Sequence, residues 1–316
     1  MNAMPTLSRF ILALSLVLLA ALPTALHAHP DHEPEPASQC VLPPGWSAIA
    51  ARDPQFVVLG ELHGTKEAPA FVSDLVCALA ARGDKVLLAV EHGSTYDARW
   101  QEAWALPQEQ FRNAVLQHGW QGREDGVASI AMLDMIVRAH ALKAGGAHIG
   151  IVAFNGARDD DQRTRFADLP SQGPHEAAQA ENIAEAAAAG NYDTVIVLVG
   201  SLHAMKAPTS IGGPEFDPMA ARLASYGPVA TLVMEHGGGS SWSCQLSEDA
   251  EFVPGQPLPQ NAVVCADHPA GGRDDLEGEP FVSLTMPQDD PKRGFYDGFF
   301  WLGPITASPP AFPAEE

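Results

Sequence analysis

Five segments of the chain are apolar runs with almost no polar alternation: Gln55–Glu61, Lys85–Glu91, His148–Asn155, Thr194–Gly200 and Pro228–Glu235. Runs of this length without a two-residue period are those of strands buried on both faces, as in parallel sheets. Between them the period lengthens. Ala68–Arg82 places Phe71, Leu75, Ala78 and Leu79 on one helical face, and Val127–Lys143 does the same with Ile130, Leu133, Ile136 and Val137. His175–Ala189 is Ala-rich, and Pro218–Ser225 is long enough for a short helix. Strand alternating with helix predicts right-handed crossovers and an α/β fold: a mainly parallel sheet flanked by helices.

Residues 52–237 are thus expected to form one α/β domain. Within it, residues 94–126 carry Trp100, Trp104 and Trp120 and are expected to be a helical insertion whose tryptophans belong to the core. After Gly237 the chain becomes rich in Gly, Pro and Asp. Residues 238–316 are therefore expected to be a loop-rich C-terminal extension with short strand-like pieces at Phe281–Thr285 and Gly298–Leu302 and a Pro-rich tail. At the other end, Arg9 precedes the apolar run Phe10–Leu22, and small residues lead to Ala28. That order is the order of a signal peptide over residues 1–28, and the run is shorter than the roughly 20 residues of a membrane-spanning helix. Residues 29–51 open on a polar, Pro-rich stretch and are expected to be a flexible N-terminal segment. The expectation is a periplasmic or secreted protein with no stable membrane span. In an oxidising compartment Cys40, Cys77, Cys244 and Cys265 are expected to be paired. Pairing Cys40 with Cys77 and Cys244 with Cys265 is favoured because each bridge closes a local loop.

Charge narrows the partners. Among 316 residues, 18 are Lys or Arg and 39 are Asp or Glu, a net charge of −21 that would repel phosphates. Nucleic acid is therefore not expected as a partner, and a small molecule or peptide is. Oligomerisation is left open. The sequence has neither a phosphate-binding Gly-rich motif after a strand nor a Gly-x-Ser-x-Gly elbow, which turns the reading away from nucleotide binding and from serine hydrolases.

Polar residues gather where each strand ends. The endings are Gly60-Glu61-Leu62-His63-Gly64, Glu91-His92-Gly93, Asn155-Gly156-Ala157-Arg158, Gly200-Ser201-Leu202-His203 and Glu235-His236-Gly237. The carboxyl ends of parallel strands share one edge of the sheet, and ligands bind there. Any one of these residues has an ordinary explanation: a carboxylate capping a helix N-terminus, a turn-forming Asn, a surface ion pair or a core His. Five such endings together predict a functional rim. Imidazoles and carboxylates suit proton transfer and water activation. Glu61, His63, Glu91, His203 and Arg158 are the candidate catalytic residues, with His63 as base and Arg158 as anchor or oxyanion partner. Glu61, His63, Glu91 and His203 are also candidate ligands for a divalent metal such as Zn or Mn. Asn155, His92 and His236 are the candidates for holding a cofactor.

The two Gly-x-x-His signatures, Gly60–His63 and Gly200–His203, with Glu91 between them, resemble the superfamily of erythromycin esterases, ChaN-like haem-uptake proteins and Tiki metalloproteases. Asn155–Arg158 resembles its third motif, and Ala180-Glu181-Asn182-Ile183 its helix motif before the last His. The resemblance covers about residues 52–237. It implies hydrolysis of an ester or amide, metal-assisted in Tiki-like members. The alternative it implies is haem or iron-ligand binding without turnover, of ChaN type. The extension after Gly237 has no counterpart in that resemblance.

Overall fold

The protein is described here by a computed structural model that covers residues 40–247, 262–288 and 290–312. The expected signal peptide, the start of the 29–51 segment and the last residues of the tail lie outside the described residues.

The five apolar runs are strands, and they pack side by side: β1 (Phe56–Glu61), β2 (Val86–Gly93), β3 (Ile149–Asn155), β4 (Thr194–Gly200) and β5 (Val229–Glu235). Their order across the sheet is β3-β2-β4-β1-β5, and every pairing among them is parallel. Helices α1 (Trp46–Ala50), α2 (Glu67–Ala81), α3 (Asp97–Trp104), α4 (Gln108–Leu116), α5 (Ile130–Ala144), α6 (Asp160–Phe166), α7 (Gly173–Gly190) and α8 (Met219–Leu223) lie between or before them. The two faces of each strand feed two cores. Val57 and Leu59 join α2, α5 and the tryptophans of the 94–126 insertion. Phe56 and Val58 join the small residues of α7 and α8. The result is three layers, helix–sheet–helix, with burial on both faces accounting for the lack of alternation in the sequence.

Two differences from the sequence expectation concern the ends. The segment 29–51 was expected to be flexible, yet it contains α1, whose Trp46 and Ile49 are buried. The Cys40–Cys77 bridge ties the first described residue of this segment to α2. The C-terminal region is mostly sheet and loops, and part of it completes the main sheet. A strand β9 (Gly298–Trp301) pairs parallel to β5, and β8 (Phe281–Ser283) pairs antiparallel to β9, giving seven strands in all. The all-apolar Phe299-Phe300-Trp301 is buried in both cores, which is what a short inner strand requires. A separate hairpin of β6 (Gly239–Leu246) and β7 (Val263–Ala270) sets Cys244 opposite Cys265, and the second bridge joins them. Both disulfides follow the favoured pairing. No helix among the described residues is long and apolar enough to cross a membrane.

The strand order places a switch point between β1 and β4. From β1 the chain crosses to β2 through α2 on one face, whereas from β4 it crosses to β5 through α8 on the other. The loops after β1 and β4 therefore part, and the crevice between them is where ligands enter folds of this kind.

Candidate functional site

Glu61 closes β1 and His63 follows it by two residues, so both side chains stand at the switch point. His63 Nδ1 lies 2.9 Å from Glu61 Oε1, and Nε2 lies 3.2 Å from Glu91 Oε2 at the end of β2. The Gly200 N–H at the end of β4 donates to the same Glu91 oxygen at 2.7 Å. Only glycine suits this position, because a Cβ there would come within 2.8 Å of His63 Nε2. Beyond Gly200 a tight turn presents His203, whose Nε2 is 3.6 Å from Glu91 Oε1. Its Nδ1 is 2.7 Å from Oε1 of Glu176, whose other oxygen accepts the Met219 N–H at 2.8 Å. Glu176 sits in the first turn of α7 and is fully buried, at 0% side-chain exposure.

The five residues form a chain of alternating acids and bases: Glu61, His63, Glu91, His203, Glu176. Three of its four links are hydrogen bonds. The fourth, between Glu91 and His203, is too long for one and leaves an acceptor oxygen and a ring nitrogen facing each other. The imidazoles are the parts open to solvent, with side-chain exposures of 29% for His63 and 20% for His203.

Protonation follows from this order. Burial works against a charge on His63, but the Glu91 charge and the hydrogen bonds to Glu61 and Glu91 outweigh it and raise its pKa well above 6.5. Burial likewise opposes charge on His203, and the hydrogen bond to Glu176 with the Glu91 charge again raises the pKa. Glu91 resists its own burial because the His63 and His203 charges and the Gly200 N–H hold it down at about 2. Glu61 goes the other way, pushed up chiefly by burial. Its second oxygen, Oε2, is buried with no hydrogen-bond partner.

The four residues read from sequence as metal ligands, Glu61, His63, Glu91 and His203, are thus brought together, but onto one another. Both ring nitrogens of His63 face carboxylates, leaving no lone pair for a cation. Among the described residues no group of three or more His, Cys, Asp or Glu side chains is placed to hold a metal ion. In this arrangement the donor set does not fit a divalent metal.

The remaining candidates stand elsewhere. Arg158 is engaged by Glu185, Glu181, Asp159 and Asn182, on the far side of α7. Asn155 reaches the site at one remove: Gln179 bonds its Oδ1 at 3.0 Å and His175 at 2.7 Å, and the His175 ring lies 5.8 Å from that of His203. His92 is buried between Trp100 and Trp120, with ring centroids at 4.7 and 5.0 Å. Burial, and then the Arg123 charge, push its pKa down to about 3. His236 accepts the Gly238 N–H, and Glu235 pairs with Lys292. The residue that sequence reasoning missed is Glu176. Its signal was present: Glu176, Ala180, Ile183, Ala184 and Ala187 share the buried face of α7, and an acid on that face demands a partner.

No known family profile matches the chain, and no curated protein matches it in sequence. Among solved structures, the erythromycin esterase EreC in its open conformation is similar at a TM-score of 0.57 and 13% identity, over 83% of this chain and 94% of its own. A succinoglycan biosynthesis protein is similar at a TM-score of 0.50 and 12% identity, over 84% of this chain and 92% of its own. ChaN of Campylobacter jejuni, solved with haem, is similar at a TM-score of only 0.35 and 11% identity, over 61% of this chain and 86% of its own, which is too slight for any inference. At such identities the likeness is one of fold. The chain shares its α/β fold with EreC and the succinoglycan biosynthesis protein.

Proposed function

We propose that this chain is an exported hydrolase that cleaves an ester or amide bond, with His203 as general base. The observation that carries the reading is the open link between Glu91 Oε1 and His203 Nε2, 3.6 Å apart, in an otherwise hydrogen-bonded chain. A water resting beside this pair, on its solvent-facing side, can donate one hydrogen to Glu91 Oε1 and the other to His203 Nε2. Glu176, buried and bonded to Nδ1, orients the imidazole as the carboxylate of a catalytic triad does. The water oxygen attacks the carbonyl carbon while its proton passes to His203 Nε2. The carbonyl π electrons move onto oxygen, and the charge that develops there is stabilised by the positive charge of His63, which acts through space because both its nitrogens face carboxylates. Collapse breaks the bond to the alkoxide or amine, which leaves with the proton from His203. His63 was the base expected from sequence, but its two nitrogens are both occupied, so the roles of the two histidines exchange.

The shared fold with an erythromycin esterase supports hydrolysis by analogy only. The two disulfides support export. The test is a screen of p-nitrophenyl esters and fluorogenic peptides against wild type and His203→Ala, run beside a haem titration. Turnover by wild type that is lost in the variant is the expected result. A Soret band with no turnover on any substrate would replace the hydrolase with a haem binder.

A further inference from the structure

Beside the chain of acids and bases lies a cavity of about 450 Å³, within the size range of small-molecule sites. One wall comes from the sheet rim, through Leu62, Met205, Val233 and Met234. The other comes from the C-terminal region, through Phe295 and Tyr296. Glu61 also lines it, so the cavity adjoins the candidate site directly.

This wall is built. The Tyr296 hydroxyl donates to the Ser201 carbonyl at 2.8 Å, satisfying its polar end and leaving the ring as surface. The Lys206 N–H donates to the Phe295 carbonyl at 2.8 Å, fixing the neighbouring residue to the same loop after β4. The Leu62 N–H points to Met234 Sδ at 3.4 Å, so the two sheet-side residues are held together. One cation, Lys292, lines the cavity, and its charge is matched by Glu235 Oε1 at 2.7 Å. What is left is a mainly apolar recess, bordered also by Glu61 and His236, and the second oxygen of Glu61 is buried without a hydrogen-bond partner.

We infer that this cavity is the specificity subsite of the reaction, and that it takes an uncharged alkyl or aryl group of the substrate next to the scissile carbonyl. The inference rests on the hydrolase reading above. An anionic group would have to break the Lys292–Glu235 pair, and a cationic one would meet Lys292. An apolar group gains by leaving water, about fourfold in affinity for each methylene buried.

The test separates binding from turnover. N-Alkylacetamides from propyl to octyl are titrated calorimetrically into His203→Ala protein, and into the same protein carrying Leu62→Asn or Phe295→Asn. Leu62 is partly exposed, so its variant keeps the fold even where loss of Phe295 loosens the wall. The expected result is an affinity that rises about fourfold per methylene and flattens to less than twofold in both wall variants. Affinity independent of chain length, or unchanged in Leu62→Asn, overturns the subsite. Wild-type hydrolysis of p-nitrophenyl esters is measured separately. Length-dependent binding without turnover would retain the cavity as an apolar site and remove the hydrolase reading, whereas turnover without length dependence would do the reverse.

Discussion

At the β1–β4 side of the rim, histidine and carboxylate meet tip to tip, each ring nitrogen or oxygen facing the opposite type. At the β2–β3 side of the same rim only Glu91 joins that group, and the other polar residues are absorbed one by one: His92 into tryptophans, Arg158 into Glu185, Asn155 into Gln179. Both sides end parallel strands, and both offered candidate residues in the sequence. What differs is topology. The chain leaves β1 and β4 toward opposite faces, so their ends stay uncovered, whereas β2 and β3 are neighbours and the 94–126 insertion fills the space above them. Being at a strand end does not make a residue functional. What gathers such residues into one group is the switch point.

The sharpest way to break this contrast is catalytic. Once a substrate is found, His203→Ala is expected to lower kcat by about 10²–10⁴, the ordinary contribution of a general base. Circular dichroism should be unchanged, because the ring is partly exposed. A wild-type kcat in this variant would show that the uncovered side binds without catalysing.

Glu176 comes next. Replacing it by Gln leaves a buried hydrogen bond to His203 without its charge, at a cost of about 1.5–3 kcal/mol in unfolding by denaturant. The same change lowers the His203 pKa toward 6.5. Since the base must be neutral, wild-type activity should rise with pH above 6.5, and in Glu176→Gln the rise should move to lower pH. A profile that does not move separates Glu176 from the base.

These expectations mark what the sequence made legible. The five inner strands were plain because burial on both faces removes alternation, and the first Gly-x-x-His stands at the switch point that its place after β1 predicts. Glu176 was harder, since an acid in a first helical turn is also what the helix dipole favours. It becomes telling only on the buried face. The seam from β5 to β9 was less legible still. Phe299–Trp301 is too short to show a period, and its pairing partner, Leu232–Glu235, lies far back in the chain. Which of His63 and His203 has a nitrogen left open could not be read at all, because it depends on which nitrogens already face a carboxylate. Gly64 shows the same limit. Its freedom serves the chain itself: at φ +75° a Cβ would come within 2.0 Å of the Trp242 carbonyl oxygen.

Acid stability compares the two sides directly. His63 and His203, with raised pKa values, add stability that is full below 6.5 and is lost as pH rises through their folded values. Glu91 adds stability that is full above 4.5 and gone near pH 2. His92 does the opposite of the other histidines. Its folded pKa of about 3 means that the unfolded chain binds the proton first, so acidification from 6.5 toward 3 costs up to about 1.4 kcal/mol per pH unit. His92→Phe keeps an aromatic ring in the stack and removes the titration. Denaturant midpoints across pH 3–7 should therefore fall less steeply in this variant than in wild type. An equal slope would mean that His92 is charged in the fold.

The smallest expected effect belongs to Arg158, and it tests the covered side most strictly. Its guanidinium is held by Glu185 with Glu181 and Asp159 nearby, in a partly exposed network between α7 and the loop before α6. Pairs of this kind are screened by water and contribute about 0.2–1 kcal/mol. Arg158→Ala should therefore lower stability by no more than that, with kcat and KM both within about twofold of wild type. Adding salt should shrink even this difference, since the ion pairs weaken and nothing else in the variant has changed. A rise in KM alone would mean that Arg158 leaves Glu185 to hold the substrate. A tenfold fall in kcat would place it at the transition state and bring the β3 edge into the site. Either outcome would require α7 to move, because Glu185 lies on the same helix whose first turn carries Glu176. The His203 pH profile would then shift together with the Arg158 effect.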